Sequence, residues 1–133
     1  MYSGYELSQE SRTALLTHFP PTFERLIGHH ITEKFGVPAD SAEPEQPTTI
    51  EVVGRAVCPH RQVEALIVAI NGSTERTSDA GKYHITWSLG PNTKPFHSNN
   101  IIDRAVLLDT PIPITVTPKV FTQPTANYLK GTL

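Results

Sequence analysis

Polar and apolar residues alternate without a break over Lys82-Tyr83-His84-Ile85-Thr86-Trp87-Ser88-Leu89, and this limits the chain more than any other stretch. Successive side chains of an extended chain point to opposite faces. His84, Thr86 and Ser88 are therefore expected on one face, and Ile85, Trp87 and Leu89 on the other. A strand with a polar face and an apolar back suits a sheet whose back is covered by helices. The tripeptide at its centre also occurs earlier, as His30-Ile31-Thr32, inside a second expected strand over 26–35. Two such strands set four reactive side chains around one phosphate if their motifs converge.

With 133 residues the chain is expected to form one domain, residues 1–133, with residues from about 122 on as a loose tail. A formal net charge of −2 gives no basic surplus of the kind that coats long nucleic acid. A small nucleotide or an RNA end needs only a local positive patch. The one cysteine, Cys58, excludes an internal disulfide and points to a reducing, cytoplasmic setting. Met1-Tyr2-Ser3-Gly4-Tyr5-Glu6 has neither a basic start nor an apolar run, so no signal peptide is expected. The longest apolar run, Ala65 to Ile70, is far short of the ~20 residues that span a bilayer, and no membrane partner is expected.

The remaining elements follow from local signals. Ser8 reads as the N-cap of a helix over Gln9 to His18, which Phe19-Pro20-Pro21 ends. A polar, proline-punctuated loop covers 38–48. Thr49 to Val57 and Val63 to Ile70 read as a hairpin. A second polar loop over 72–82 leads into the strand with the second motif, and both loops are expected to act as lids that select substrate. Ile101 to Leu108 fits either a helix or a strand, and Ile112 to Thr117 an edge strand tolerant of proline.

Cleaving a phosphodiester requires a base for the nucleophile, an acid for the leaving oxygen, and donors for the charge that develops on phosphate. Histidine serves either proton role because its ordinary pKa lies near 6.5. A threonine hydroxyl two residues along the same strand face donates to non-bridging oxygens. The scheme calls for no metal or other cofactor.

The paired motifs His30-Ile31-Thr32 and His84-Ile85-Thr86 resemble the signature of the 2H phosphoesterase superfamily. That group includes RNA 2′,3′-cyclic phosphodiesterases, LigT-like RNA ligases and phage enzymes that destroy cyclic-oligonucleotide immune signals (anti-CBASS nucleases). The flanks Gly4-Tyr5, Glu10-Ser11-Arg12, Leu15-Leu16, Phe19-Pro20-Pro21 and Phe35-Gly36-Val37 resemble its bacterial and phage RNA-repair-like "Swiss Army knife" branch. Lys94-Pro95 and Ser98-Asn99 continue the likeness, which spans about residues 4–108. Glu33 departs from it, standing where an aliphatic residue is usual.

The resemblance implies an α+β fold of mostly antiparallel sheets in two pseudo-symmetric halves around a concave groove, with helices outside. It implies a metal-independent phosphodiesterase acting on a nucleotide or RNA end, with His30 and His84 as acid and base and Thr32 and Thr86 holding the phosphate. Around these, Tyr5 either stacks on or hydrogen-bonds a nucleobase, or simply packs. Lys94, His97, Ser98 and Asn99 either close over the phosphate or are solvated. Trp87 is expected to pack against a helix, with base stacking as its second role, and His29 to be structural. A module that sequesters a nucleotide without cleaving it is the competing reading. A zinc site is the weakest, since ligand spacing is absent.

Overall fold

A computed structural model describes residues 1–122 and shows an α+β fold dominated by one antiparallel sheet of eight strands. In chain order these are β1 (Tyr2–Leu7), β2 (Arg25–Leu26), β3 (His30–Phe35), β4 (Ile50–Cys58), β5 (Val63–Ile70), β6 (His84–Leu89), β7 (Val106–Pro113) and β8 (Val116–Phe121). One α-helix, α1 (Gln9–His18), follows β1, and two short 3₁₀ turns, Pro95–Asn100 and Ile102–Arg104, follow β6. Beyond Thr122, the expected tail lies outside the described residues.

The strand order is β7-β4-β5-β6-β3-β1-β8, with the short β2 also on β6. The two motif strands, β3 and β6, are thus neighbours near its middle. β7 and β8 lie at opposite ends of this path, yet only Ile114 and Thr115 separate them in sequence. Six strand spacings of about 4.8 Å would hold them roughly 29 Å apart in a flat sheet. Three residue steps reach only about 10 Å, so the sheet curls until its edges approach. The Ile114 N–H donates to the Ile50 carbonyl at 3.1 Å and the Ser8 N–H to the Thr115 carbonyl at 3.0 Å, which fastens the two ends together. The expected single edge strand over Ile112–Thr117 is therefore divided between two edges.

Ser8 Oγ accepts the Ser11 N–H at 3.1 Å at the start of α1, a cap that contributes about 1 kcal/mol. At the other end the Phe19 N–H closes on the Leu15 carbonyl at 2.7 Å, just before the two prolines. Leu15 packs into a core with Ile31, Val52, Leu66, Val68, Ile85 and Trp87. The Trp87 Nε1–H donates to the Phe19 carbonyl at 2.8 Å and so ties the helix end to β6. A second apolar cluster holds Ala65, Ile67 and Leu89 beneath Ile101 and Ile102 of the segment that carries the 3₁₀ turns. Every residue of β5 is buried, as the apolar run Ala65 to Ile70 implies, and Glu64 is buried with them, paired with Arg55 and Ser88.

The single strand expected over 26–35 is two. Gly28, with a φ of 51°, turns the chain between β2 and β3, a conformation that suits glycine. Pairing with β6 shifts from Leu26 opposite Ser88 to Ile31 opposite Ile85 across that break. Arg12 of α1 braces the turn, with Nε 3.1 Å from the Gly28 carbonyl and Nη2 3.3 Å from that of Ile27.

Candidate active site

Ile31 stands directly opposite Ile85 in the β3–β6 pair. The antiparallel register then sets His30 across from Thr86 and Thr32 across from His84. All four point away from the helix side, and all four line one cavity of about 390 Å³. That volume falls within the range of small-molecule pockets. The duplicated tripeptide is duplicated in space, about the midpoint of two adjacent strands.

The likeness extends to an irregularity in each strand. β1 pairs Ser3 with Lys34 and Gly4 with Thr32, so Glu33 is an extra residue in β3. β5 pairs Glu64 with Ser88 and Ala65 with Thr86, so Trp87 is an extra residue in β6. Each bulge follows its motif threonine directly. A bulge reverses the facing of the residues after it. Phe35 consequently returns to the cavity. Beyond Trp87 the alternation fails: Ser88 is turned to Glu64 (Oγ to Oε1, 2.6 Å) and Leu89 joins the second apolar cluster. The expected shared face of His84, Thr86 and Ser88 therefore stops at Thr86. Glu33 occupies the bulged position and accepts the Ser3 hydroxyl at 2.7 Å.

Both imidazoles are nearly buried, His30 at 8% and His84 at 9% exposure. His84 Nδ1 lies 2.8 Å from the Lys82 carbonyl, which can only accept, so this nitrogen carries the proton. The Nε2 lone pair then takes the Ser98 hydroxyl at 3.0 Å, and Ser98 Oγ in turn lies 2.9 Å from Thr86 Oγ1. The Pro95 carbonyl, 2.8 Å from Ser98 Oγ, competes for the same proton. His30 Nδ1 lies 3.0 Å from His29 Nδ1, and His29 Nε2 is 3.6 Å from a Glu6 carboxylate oxygen. Placing the His29 proton on Nε2, toward that carboxylate, makes His30 the donor through Nδ1. The rings of Tyr2 and Phe121 each have centroids 5.1 Å from that of His30.

Burial disfavours a charged imidazole. It is the main reason that His30 is pushed down to about 3, with His29 and His84 adding to the effect. Burial also brings His84 down to about 4, opposed by its bond to the Lys82 carbonyl and reinforced by the nearby Arg76 charge. Both are neutral near pH 7. Tyr2, its phenol pushed up to about 12 by burial, is a permanent hydroxyl.

The other candidate residues divide. Ser98, only 1% exposed, and Asn99 line the cavity through the 3₁₀ turn Pro95–Asn100. Lys94 precedes that turn, is exposed, and does not line the cavity; His97 accepts the Lys94 N–H at Nδ1, 3.1 Å away. Tyr5 pairs with Ile31 across β1–β3 and therefore shares its face, in the core on the helix side. Trp87 is fully buried there as well. Neither ring reaches the cavity, so stacking on a base bound there is not open to Tyr5 or Trp87. His29, expected to be structural, supports His30 directly, because it precedes β3 and follows the turn at Gly28. Tyr2, Phe35, Phe96 and Arg76 also line the cavity, and the sequence pattern does not point to them at the outset. Alternation along β1 points to Tyr2 once Tyr5 is assigned inward, whereas nothing local singles out Arg76. Among the described residues no group of three His, Cys, Asp or Glu side chains stands at metal-ligand spacing.

Comparison of the chain with protein-family models, with curated proteins and with solved structures finds no match in any of the three.

Proposed function

We propose that the cavity hydrolyses a phosphodiester of a nucleotide or RNA end without a metal, in the manner of a 2H phosphoesterase and on a bilobal variant of that fold. One observation carries this reading: the two His-x-Thr motifs meet across one antiparallel pair, so that two imidazoles and two hydroxyls line a single cavity of nucleotide size. One imidazole takes the proton of the attacking water or neighbouring hydroxyl while the other gives a proton to the leaving oxygen. Thr32 and Thr86 donate to the non-bridging oxygens as charge builds on them. An incoming phosphate anion offsets the burial that keeps the imidazoles neutral, and so favours protonation of the one that acts as acid. Phe35 and Phe96, each 54% exposed at the cavity, offer apolar ring surface to a base.

A non-catalytic nucleotide-binding module is the second reading, and one contact favours it. Ser98 engages His84 Nε2, so this hydroxyl must yield before the ring exchanges a proton with substrate. Incubation with 2′,3′-cyclic nucleotides, 2′–5′-linked dinucleotides and cyclic oligonucleotides, with products resolved by chromatography, separates the two. Product that persists in EDTA and vanishes in His30→Ala and His84→Ala supports hydrolysis. Tight binding with intact ligand supports the module.

A further inference from the structure

The connection between β5 and β6 has a fixed internal structure. Bridges join Ile70 to Ser73 and Glu75 to Lys82. The Arg76 N–H donates to the Gly81 carbonyl at 2.6 Å, and the Ala80 N–H to that of Arg76 at 3.1 Å. The Ser78 hydroxyl donates to the Glu33 carbonyl at 2.7 Å, fastening the connection to the motif strand β3. The expected lid over 72–82 is thus pinned to the sheet, and it brings one side chain, Arg76, to the cavity wall.

Arg76 is only 5% exposed, and three contacts fix its guanidinium. Nε and Nη2 donate to the two carboxylate oxygens of Asp79 at 3.0 and 3.1 Å. The guanidinium carbon lies 5.3 Å from the centroid of the Phe35 ring. The third is the bare Cα of Gly81, against which the guanidinium lies so closely that a Cβ there would collide with Nη2. Asp79 is held ionised, below the usual carboxylate range, first by the Gly81 N–H and then by Arg76. Asp79 takes only the side of the guanidinium that carries Nε and Nη2. Nη1 makes no hydrogen bond among the described residues, so the end-on fork of Nη1 and Nη2 remains for another acceptor. Among the described side chains that line the cavity, Arg76 alone carries a fixed positive charge, since the buried imidazoles are neutral near pH 7.

We propose that Arg76 is the anion anchor of this site, binding phosphate oxygens through its end-on fork while Asp79, Phe35 and Gly81 hold it in place. Arginine's planar fork suits such bidentate contact, and rigid support lowers the entropy lost when the anion binds. The inference rests on the reading of the cavity as a phosphate site and narrows its ligand to one with an anionic phosphate.

Inorganic phosphate is the probe, followed by calorimetry and by ³¹P line broadening. Wild-type protein is expected to bind it, with affinity reduced about tenfold or more in Arg76→Gln. Arg76→Lys, which keeps the charge and loses the fork, is expected to fall between them. Gly81→Ala keeps the arginine but displaces it, and is expected to weaken binding as Arg76→Gln does. Arg61→Ala, which removes an exposed charge away from the cavity, is expected to bind as wild type does. Thermal melts report whether each variant is folded, and if Arg76→Gln is not, Arg76→Lys and Gly81→Ala decide. Binding within twofold of wild type in the folded Arg76 variants, or no binding by wild type, overturns the proposal. Phosphate binding that depends on Arg76, in a protein that cleaves no phosphodiester, leaves the anchor standing and removes the hydrolase reading alone.

Discussion

β3 and β6 carry the same tripeptide and the same bulge after it, yet they hold their imidazoles by different means. His84 is fixed by a main-chain carbonyl, that of Lys82, and its other nitrogen meets Ser98. His30 is fixed by a side chain, His29, which itself leans on Glu6, and aromatic rings flank it. The backbone geometry that points His and Thr at one cavity is thus repeated, while the groups that set each tautomer are not. One support cannot be removed by substitution and the other can, so the two strands are separable by experiment.

The largest effect tests what the two strands share. His30→Ala and His84→Ala are each expected to reduce turnover by about 10²–10⁴-fold, the usual contribution of a positioned acid or base. Single-turnover rates on whichever substrate of the panel is cleaved provide the check. A motif whose alanine variant keeps its rate breaks the equivalence. Next come the hydroxyls. Thr32→Ala and Thr86→Ala are expected to cost about 10²-fold in kcat. Serine at either position restores most of it, because the hydroxyl is the working group.

A third expectation concerns stability, where the two imidazoles act alike. Their folded-state values, about 3 and about 4, lie below the ordinary 6.5. As pH falls from about 6.5 to about 4, the unfolded chain takes up protons that the folded chain refuses. Stability is therefore full above about pH 6.5 and declines through that window, by about 1.4 kcal/mol per pH unit for each histidine. Urea unfolding at a series of pH values reads this slope, and glutamine at both positions should flatten it by about 2.7 kcal/mol per unit. An unchanged slope would mean that the rings are not buried in their neutral form.

The smallest effect sharpens the difference between the two strands. His29→Ala removes the hydrogen bond that orients His30, worth about 1 kcal/mol, and is expected to slow turnover about five- to tenfold. Its signature is a change at the His30 ring alone, with the ¹⁵N shifts of His84 unmoved. Equal shifts in both rings would show that the two supports are coupled.

Much of the fold is readable in the chain because it depends on neighbours in sequence. Ser8 and the Phe19-Pro20-Pro21 stop bound α1 at Gln9 and His18, and the turn before Val63 makes the β4–β5 hairpin. The repeated His-Ile-Thr marks the pair of strands at the cavity. The features that are not readable depend on partners distant in sequence. A bulge is set by the register of the facing strand, so nothing local announces that Ser88 and Leu89 exchange faces or that Phe35 returns to the cavity. Arg76 sits in a polar connection that gives no periodic signal, and its place follows from Gly81, Asp79 and a ring on another strand. Tyr5 is the instructive case. Its pairing with Ile31 assigns it to the core, and plain alternation then gives the cavity to Tyr2.

Whether the two imidazoles serve one phosphate together is tested most directly by a double-variant cycle on turnover. Groups that act as one unit are strongly non-additive. His30→Ala with His84→Ala should therefore be about as slow as either single variant. A double variant slower by the product of the two single losses would show two independent contributions and contradict a shared centre.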